Sequence, residues 1–533
     1  MAVTPDTEIR LVKCNLNIDN NNQLNFASKT AQYNYFNSLT HLTITGASYQ
    51  RKDDYIRYPA HIDTLIEYNY VMYKNTHYKD KWFYAYITKM EYEDDGCTRV
   101  YIKTDVWQTW QFDLIFMKSF VEREHVNSDN VGEHTVPESL ETGEYIINTT
   151  DYVMFDTNRY VVIAVSSTYN TPFSKPAQTT YNGIFSGEYL YTFGTTAQAR
   201  NFINIYDECG QADAINSVYM IPGTLYNKLD LTSDTVTYTG SSSSITCTYS
   251  LINGTSGTTI EYQKVVSMQT TLNGYTPKNN KLKCYPYNFL QVDNNNGASA
   301  IYHYEKFVSN SPSFRAVGAI TPGCSVMLYP LNYNLISDDL THDVLQCSYS
   351  EGIPLGKYPV GSWNTDVYTN WLTQTSANRS IGLISNTVSS IGSAVMGNPI
   401  GAVSGVAGIF NAAAEVYQHT LIPDQTRGNT NSGDVTYAYL QTAFSIKKKS
   451  IKQEYAKIID DFFTMYGYKV NTLKVPNITG RSNWNYVKLI NPNIEGYIPQ
   501  EDLQEVKQMF SDGITIWHTT SHFLDYSQTN SII

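Results

Sequence analysis

Apolar and polar residues alternate with a period of two over many short segments of this 533-residue chain, the signature of strands with one wet face. "KWFYAYITKMEY" (Lys81 to Tyr92) and "TRVYIKTDVWQTW" (Thr98 to Trp110) alternate on either side of "EDDGC", which predicts two strands around an Asp-Gly turn. From Thr235 to Val265 the pattern repeats in "TVTYT", "ITCTYSL" and "TTIEYQKVV", separated by "GSSSS" and "INGTSG", and predicts a β-meander in a second domain. Late in the chain the period changes. In "SIKKKSIKQEYAKIIDDFFTMYGY", Ile451, Tyr455, Ile458, Phe462 and Met465 recur at three and four and Gly467 supplies a stop, which predicts an amphipathic helix packed on a sheet. "PQEDLQEVKQMFSDG" predicts a second helix, with acids in its first turn, Leu503, Val506 and Phe510 on one face and Gly513 beyond its end. No repeat of fixed period supports a solenoid or propeller.

Composition sharpens this into a fold class. Forty-five tyrosines with abundant Thr, Asn and Val suit half-buried pleated surfaces, so the chain reads as mainly β with a few helices, α+β and multidomain. Its length calls for several domains, since single cores stop growing near about 250–300 residues. The charge of −12 disfavours sequence-specific nucleic-acid binding. "MAVTPDTEIRLVKCNLNIDN" lacks a basic segment followed by an apolar run, so no secretory signal or terminal anchor is expected and synthesis in a cytoplasm is. The seven cysteines are widely spaced, without CxxC or a zinc-site spacing, and read as free, semi-buried thiols.

One stretch departs from the rest. "SIGLISNTVSSIGSAVMGNPIGAVSGVAGIFNAAA", Ser380 to Ala414, carries no Asp, Glu, Lys or Arg and is built from Gly, Ala, Ser, Val and Ile. Asn398-Pro399, flanked by Gly397 and Gly401, divides it into two arms, Ile381 to Gly397 and Ile400 to Tyr417. As a helix each arm would reach about 25 Å, short of the ~30 Å hydrocarbon core of a bilayer. Its apolar positions are Ile381, Leu383, Ile384, Val388, Ile391, Val395, Met396, Pro399, Ile400, Val403, Val406, Ile409 and Phe410. Large side chains are scarcer here than in a helix that fills a core, while the small residues suit close helix approach in lipid. A buried hairpin, a constitutive anchor and a segment released into a membrane on a signal all fit this composition.

Catalytic signals are weak. "VEREHV" sets His125 among Glu122, Arg123 and Glu124, and "HTTSH" spaces His518 and His522 at i, i+4. Neighbours on a strand point to opposite faces, and "HTTSH" follows the strand-like "GITIW" without a third ligand, so structural ion pairs and no metal are expected. Paired acids such as those in "YEDDG" arise by chance among 49 carboxylates. GxSxG, P-loop and HExxH motifs are missing, so no enzyme and no cofactor is expected. "KKK" at Lys447 to Lys449 reads as a solvated helix face, with anionic headgroups as the rival partner.

Several motifs, in their order along the chain, resemble the tail knob, or distal tail tube, proteins of small short-tailed picovirus-type bacteriophages that infect Gram-positive hosts. They are "QYNYFNS" (Gln32 to Ser38), "KWFYAYITKMEY", "DVWQTW" (Asp105 to Trp110), "VEREHV", "FFTMYGYKVNTLKVPN" (Phe462 to Asn477), "NWNYVKL" (Asn483 to Leu489) and "DGITIWH" (Asp512 to His518). They mark Trp82, Trp107, Trp110, His125, Tyr466, Gly467, Gly513 and Trp517 as structural positions of the family. The resemblance implies tube-like β-barrel domains assembled into a ring of six copies at the virion's tail tip, with other tail and lower-collar proteins as partners and genomic DNA passing through the lumen. It also implies that the small-residue stretch plugs the lumen and later enters the host membrane. On this basis the expected organisation is a tube-wall domain at 1–150, knob domains at 151–270 and 271–370, the apolar loop at 371–436, and a C-terminal part at 437–533 that completes the tube. Six copies would carry 6 × −12 = −72 formal charges, which favours sliding of a phosphate backbone over sticking. The alternative is a receptor- or cell-wall-binding tail module without membrane activity.

Overall fold

A computed structural model describes residues 6–47, 54–76, 81–154, 159–176, 180–181, 184–185, 187–240, 244–252, 259–295, 297–320, 325–334, 351–357, 360–363, 428–431 and 442–533. Strands dominate them, with a few helices. The chain divides into two compact units: Met1–Gly143, Gly274–Leu282 and Gln453–Ile533 form the first, and Glu144–Asn273 with Lys283–Lys452 the second.

In the first unit the predicted hairpin forms from Trp82–Asp94 and Cys97–Thr104, its turn closed by the Gly96 N–H on Asp94 Oδ1 at 2.8 Å. The second strand stops short of the expected Trp110. Asp105 caps a short helix, Val106–Trp110, by accepting the Gln108 N–H at 3.0 Å, so Trp107 and Trp110 reach the core from a helix. The hairpin lies in a six-stranded sheet with His41–Ala47, Thr7–Val12, Tyr70–Asn75 and Tyr55–Tyr58. A five-stranded sheet orders Asn22–Leu24, Ile514–Trp517, Trp484–Ile490, Ser119–Glu124 and Tyr468–Lys474, and the parallel pairing of its first two strands joins the two ends of the chain. Leu11, Val71, Phe83, Trp107 and Trp110 share one core with Val487, Leu489, Phe510 and Ile516, while Phe36, Tyr70, Tyr84, Trp484 and Trp517 form another.

The helix Gln500–Asp512 buries Leu503, Val506, Met509 and Phe510 as its spacing predicts. The other predicted helix is shorter than its pattern. Thr442–Ile451 is a strand and only Gln453–Tyr466 is helical, burying Ala456, Ile459, Asp460 and Phe463, while Ile458 is 67% exposed. The apolar spacing of Ile451 with Tyr455 spanned a strand end and a helix start, which shifted the inferred stripe by one residue. The lysine triplet therefore lies on a strand, not on a helix face, where Lys447 and Lys448 meet Asp293 at 3.1 Å and Asp151 at 3.8 Å.

The second unit centres on Arg159–Val165, whose residues enter two cores in alternation. Val162 and Ala164 pack with Leu290, Phe314, Leu328 and Phe444; Val161, Ile163 and Val165 pack with Tyr191, Tyr249 and the inner face of the helix Thr196–Glu208. A strand buried on both sides needs no polar face, hence its continuous "YVVIAV". The expected meander forms only in part. Leu231–Thr239 pairs with Ser244–Ile252, but Thr259–Val265 joins Ser313–Ala319 in another sheet. A turn signal fixes the pairing across its own turn, and a strand's remaining hydrogen bonds close with whichever neighbour the tertiary fold supplies. On the outer face of the 231–252 hairpin, hydroxyls meet across the strands at 3.1 Å, Ser233 with Ser250, Thr235 with Thr248 and Thr237 with Thr246.

The seven-stranded sheet of this unit ends in Val360–Trp363 paired antiparallel with Gly428–Asn431, Trp363 opposite Gly428. The chain leaves and returns on adjacent strands. The small-residue stretch, with all thirteen apolar positions named from Ile381 to Phe410, falls between them and lies outside the described residues.

Candidate functional site: a buried polar seam in the first unit

Unit one is assembled from three separate pieces of chain, and charged side chains taken out of water join them. Asp460, buried on the helix Gln453–Tyr466, accepts from Tyr275 Oη at 2.7 Å, from the Lys278 and Asn279 backbone N–H groups at 2.7 and 3.0 Å, and from Asn279 Nδ2 at 2.8 Å. Four donors on one carboxylate clamp the 274–282 segment to the C-terminal piece. Glu138 ties in the N-terminal piece, accepting from Lys281 Nζ at 2.6 Å, from the Lys469 N–H at 2.9 Å and from Arg123. Burial opposes its ionisation, yet Lys281, the Lys469 N–H and Arg123 together hold the carboxyl below its ordinary range. Asp129 accepts from Tyr468 Oη at 2.7 Å and the Asn280 N–H at 3.0 Å, and burial pushes its pKa up.

His125 belongs to this seam and to no ion pair. Its Nδ1 accepts the Tyr486 N–H at 2.8 Å and its Nε2 faces Thr464 O at 3.0 Å, so the proton sits on Nε2 and the ring is neutral. Burial, with the charge of Arg481 adding to it, pushes its pKa down to about 3. The other groups of "VEREHV" do pair: Glu122 with Lys488 at 3.0 Å, Arg123 with Glu138 and Glu124 with Lys474. His518 Nε2 and His522 Nδ1 meet Asn485 and Asn483 side chains at 3.0 and 2.9 Å. Among the described residues no His, Cys, Asp or Glu group is arranged to hold a metal.

The family-motif positions are spread over both cores. Trp107 Nε1 donates to Leu24 O at 2.9 Å, and Trp110 Nε1 to Asp502 at 2.9 Å with Lys81 Nζ 3.6 Å over its ring. Trp517 Nε1 donates to Asn22 at 3.0 Å, and its ring lies 5.1 Å from that of Trp484. Trp82 is half-buried, stacked on Tyr33 with Arg10 over its ring. Tyr466 ends its helix with its ring edge-on to Tyr486. Gly467 follows with φ of 65°, and a Cβ there would sit 2.1 Å from Glu124 O; Gly513 has φ of 100°, and a Cβ would meet Tyr486 Oη at 2.2 Å. Both positions need glycine for conformation and for space.

Beside the seam opens a polar cavity of about 590 Å³, lined by His125, Asp129, Asn279, Thr464 and Arg481, with residues 527–532 of the C-terminal segment as a further wall. Arg481 Nη1 and Nη2 donate to the Asn530 and Val126 carbonyls at 3.3 and 3.0 Å, and its Nε is buried without an acceptor. Sequence reasoning missed Asp460, Glu138 and Arg481, because charged side chains are ordinarily at the surface. The one available signal was the polar run "PKNNK" between strand-like segments. Among the described residues no helix is long and apolar enough to cross a membrane.

Known proteins match this fold and sequence. A family model described as Bacillus phage phi29, tail knob protein gp9, C-terminal domain matches residues 248–531, and one described as Caudoviral major tail protein N-terminus matches residues 5–115. The chain is 27% identical to tail knob protein gp9 of Bacillus phage PZA, over 93% of each chain, and 25% identical to that of Bacillus phage phi29, over 95% of each. The structure of the bacteriophage C1 tail knob protein, gp12, covers 99% of this chain and 100% of its own with a TM-score of 0.61 at 14% identity, a likeness of fold. Since the gp9 model spans more than half of its length, the chain belongs to the phage tail knob family represented by phi29 gp9.

Proposed function

We propose that this tail knob protein is a structural component whose middle loop both closes a DNA channel and opens a route through the host membrane. In this reading six copies form the distal tube, other tail and lower-collar proteins hold it in the virion, genomic DNA passes without sequence-specific contact, and no bond is made or broken. The working residues are the apolar positions from Ile381 through Val395, Pro399 and Val403 to Phe410. The motif residues Trp107, Trp110 and Trp517 are buried in the first unit and serve as packing of the tube wall, while the loop is rooted in a sheet of the second unit.

One observation carries the reading. The apolar stretch lies in a connection whose two ends are paired strands at the edge of one sheet, Trp363 opposite Gly428. A loop rooted in that way can change its conformation and surroundings while the ladder beneath it keeps its hydrogen bonds. Small residues without charge suit both a dry lumen and close packing in lipid. Several copies acting together supply the backbone partners that a lone short arm lacks in a bilayer.

The test is dye release from liposomes between pH 4 and 8, comparing the full chain with a variant in which 380–417 is a short Gly-Ser linker. Release by the full chain alone is expected. If neither protein releases dye while both still form rings of equal mass, the membrane part of the proposal falls and a lumen plug or a wall-binding module remains.

A further inference from the structure

We infer that a four-stranded sheet of the second unit is a contact between copies of this chain, in which the Tyr145–Met154 edge of one copy pairs with the Ser299–Tyr302 edge of the next. This contact rests on the reading of the protein as a ring of copies, and it names the strands that meet.

The sheet runs in the order Tyr145–Met154, Thr442–Ile451, Asn288–Asp293, Ser299–Tyr302, and its first and last strands have no further neighbour among the described residues. One face is core, where Val153, Ile446, Val292 and Tyr302 pack inward. On the opposite face the register places Ile147 beside Lys449, Lys447 between Thr150 and Gln291, Gln291 beside Ile301, and Tyr152 beside Ser445. The two central strands therefore show lysines, a glutamine and Asp293 on this face, whereas the edge strands show Ile147, Tyr152 and Ile301, which are 50, 64 and 49% exposed. Edge strands that stay in water carry the reverse, with charge at the margin to block pairing. Asp151 is no such guard, since it lies on the core side of its strand, opposite Ile446, with Lys448 at 3.8 Å. A face that is polar in the middle and apolar at both margins is one whose margins are covered.

Direction selects a second copy as the cover. Each neighbouring pair in the sheet is antiparallel, so with four strands the two edges run in opposite directions. Rotation about an axis leaves a strand's direction along that axis unchanged, so the last strand of one copy meets the first strand of the next antiparallel, as every other pair in the sheet does. The lengths agree as well. Between its two bulges the first edge runs regularly from Thr149 to Val153, enough to take the four residues Ser299–Tyr302. The two edges differ in sequence, so the contact is head to tail, the kind that closes into a ring.

The full chain would be sized by light scattering over a range of concentrations, beside two variants with one charged edge each, Ile147→Lys and Ile301→Lys. Both side chains are half-exposed, and thermal midpoints record whether the fold is kept. Each variant alone should close no rings, its midpoint concentration of assembly raised at least ~10-fold by a lysine at the junction. An equimolar mixture of the two should form dimers and stop there, because each keeps one edge intact and the intact edges are the complementary ones. If either variant loses its fold, Tyr152→Lys or Ser299→Lys places the charge on the same edge and carries the same test. Rings of unchanged mass from both folded variants overturn this contact and leave the ring standing. A full chain that stays monomeric at every concentration overturns both, and dimers of one variant alone overturn the head-to-tail pairing.

Discussion

The two units of this chain bury polarity in different ways. Among the described residues the buried acidic, basic and histidine residues, Asp105, Glu124, His125, Lys281, Asp460 and Asp502, all belong to the first unit. The buried polar side chains described in the second unit are neutral, such as Thr192, Ser217, Gln269, Asn288 and Ser450, among tyrosines and aliphatic residues. Ion pairs and buried carboxylates cost desolvation and add little net stability against apolar packing, but they are directional. The first unit must bring three separate pieces of chain together, and its charged seam gives each piece one correct partner. The second runs from Glu144 to Lys452 with a single break, and strand pairing with apolar packing suffices. Polar specification accompanies discontinuity of the chain.

The strongest way to break this contrast is Asp460→Ala. Four donors would lose their acceptor in the interior, and a loss of about 3–5 kcal/mol is expected. Hydrogen exchange should show it in the first unit, with the 231–252 hairpin unchanged; equal loss of protection in both would remove the distinction. Trp110→Ala should cost about 3–5 kcal/mol by cavity formation, and an unchanged thermal midpoint would contradict its place in the core.

Acid sharpens the comparison at the next level. Buried His125 has a folded pKa of about 3 against 6.5 in the open chain, so the unfolded state takes up its proton first and stability falls as pH drops below 6.5. By pH 4 the expected loss is about 3 kcal/mol. His518, pushed to about 4 by burial, acts in the same direction. Asp105 opposes them: burial raises its pKa to about 6 from 3.8, so its contribution to stability improves as pH falls through that window. Asp105→Asn, which keeps a capping oxygen, should therefore steepen the acid loss seen in thermal midpoints between pH 7 and 4. A shallower acid loss in that variant would reverse the sign assigned to Asp105. The smallest effect belongs to the second unit, where Thr235→Val on the exposed hydroxyl ladder should change stability by no more than about 0.5 kcal/mol in a denaturant titration.

Legibility in the sequence followed the same division. Alternation located the Trp82–Thr104 hairpin, and spacing with a glycine stop located the helix Gln500–Asp512, because both signals are local. At Thr104 and Ile451 local pattern misled, since an apolar spacing continued across the change from strand to helix. The seam was not legible. Whether Asp460 or its neighbour Asp461 is buried depends on Lys278 and Asn279, some 180 residues earlier in the chain, and nothing near either aspartate reports that encounter. His125 showed the converse: its charged neighbours suggested ion pairing, whereas its partners are backbone groups of two distant segments.

The return segment Gly274–Leu282 changes what a nick would do. Between Lys283 and Lys452 the chain could be cut once, even in the connection that holds the small-residue stretch, and the N-terminal fragment would still own Lys278, Asn279 and Lys281 while the C-terminal fragment kept Asp460 and Lys469. Each fragment would supply part of both units. The two could separate only by opening the buried charge clamps and whole strand pairings that hold each unit together, so a virion component cut once in that connection would keep each unit assembled.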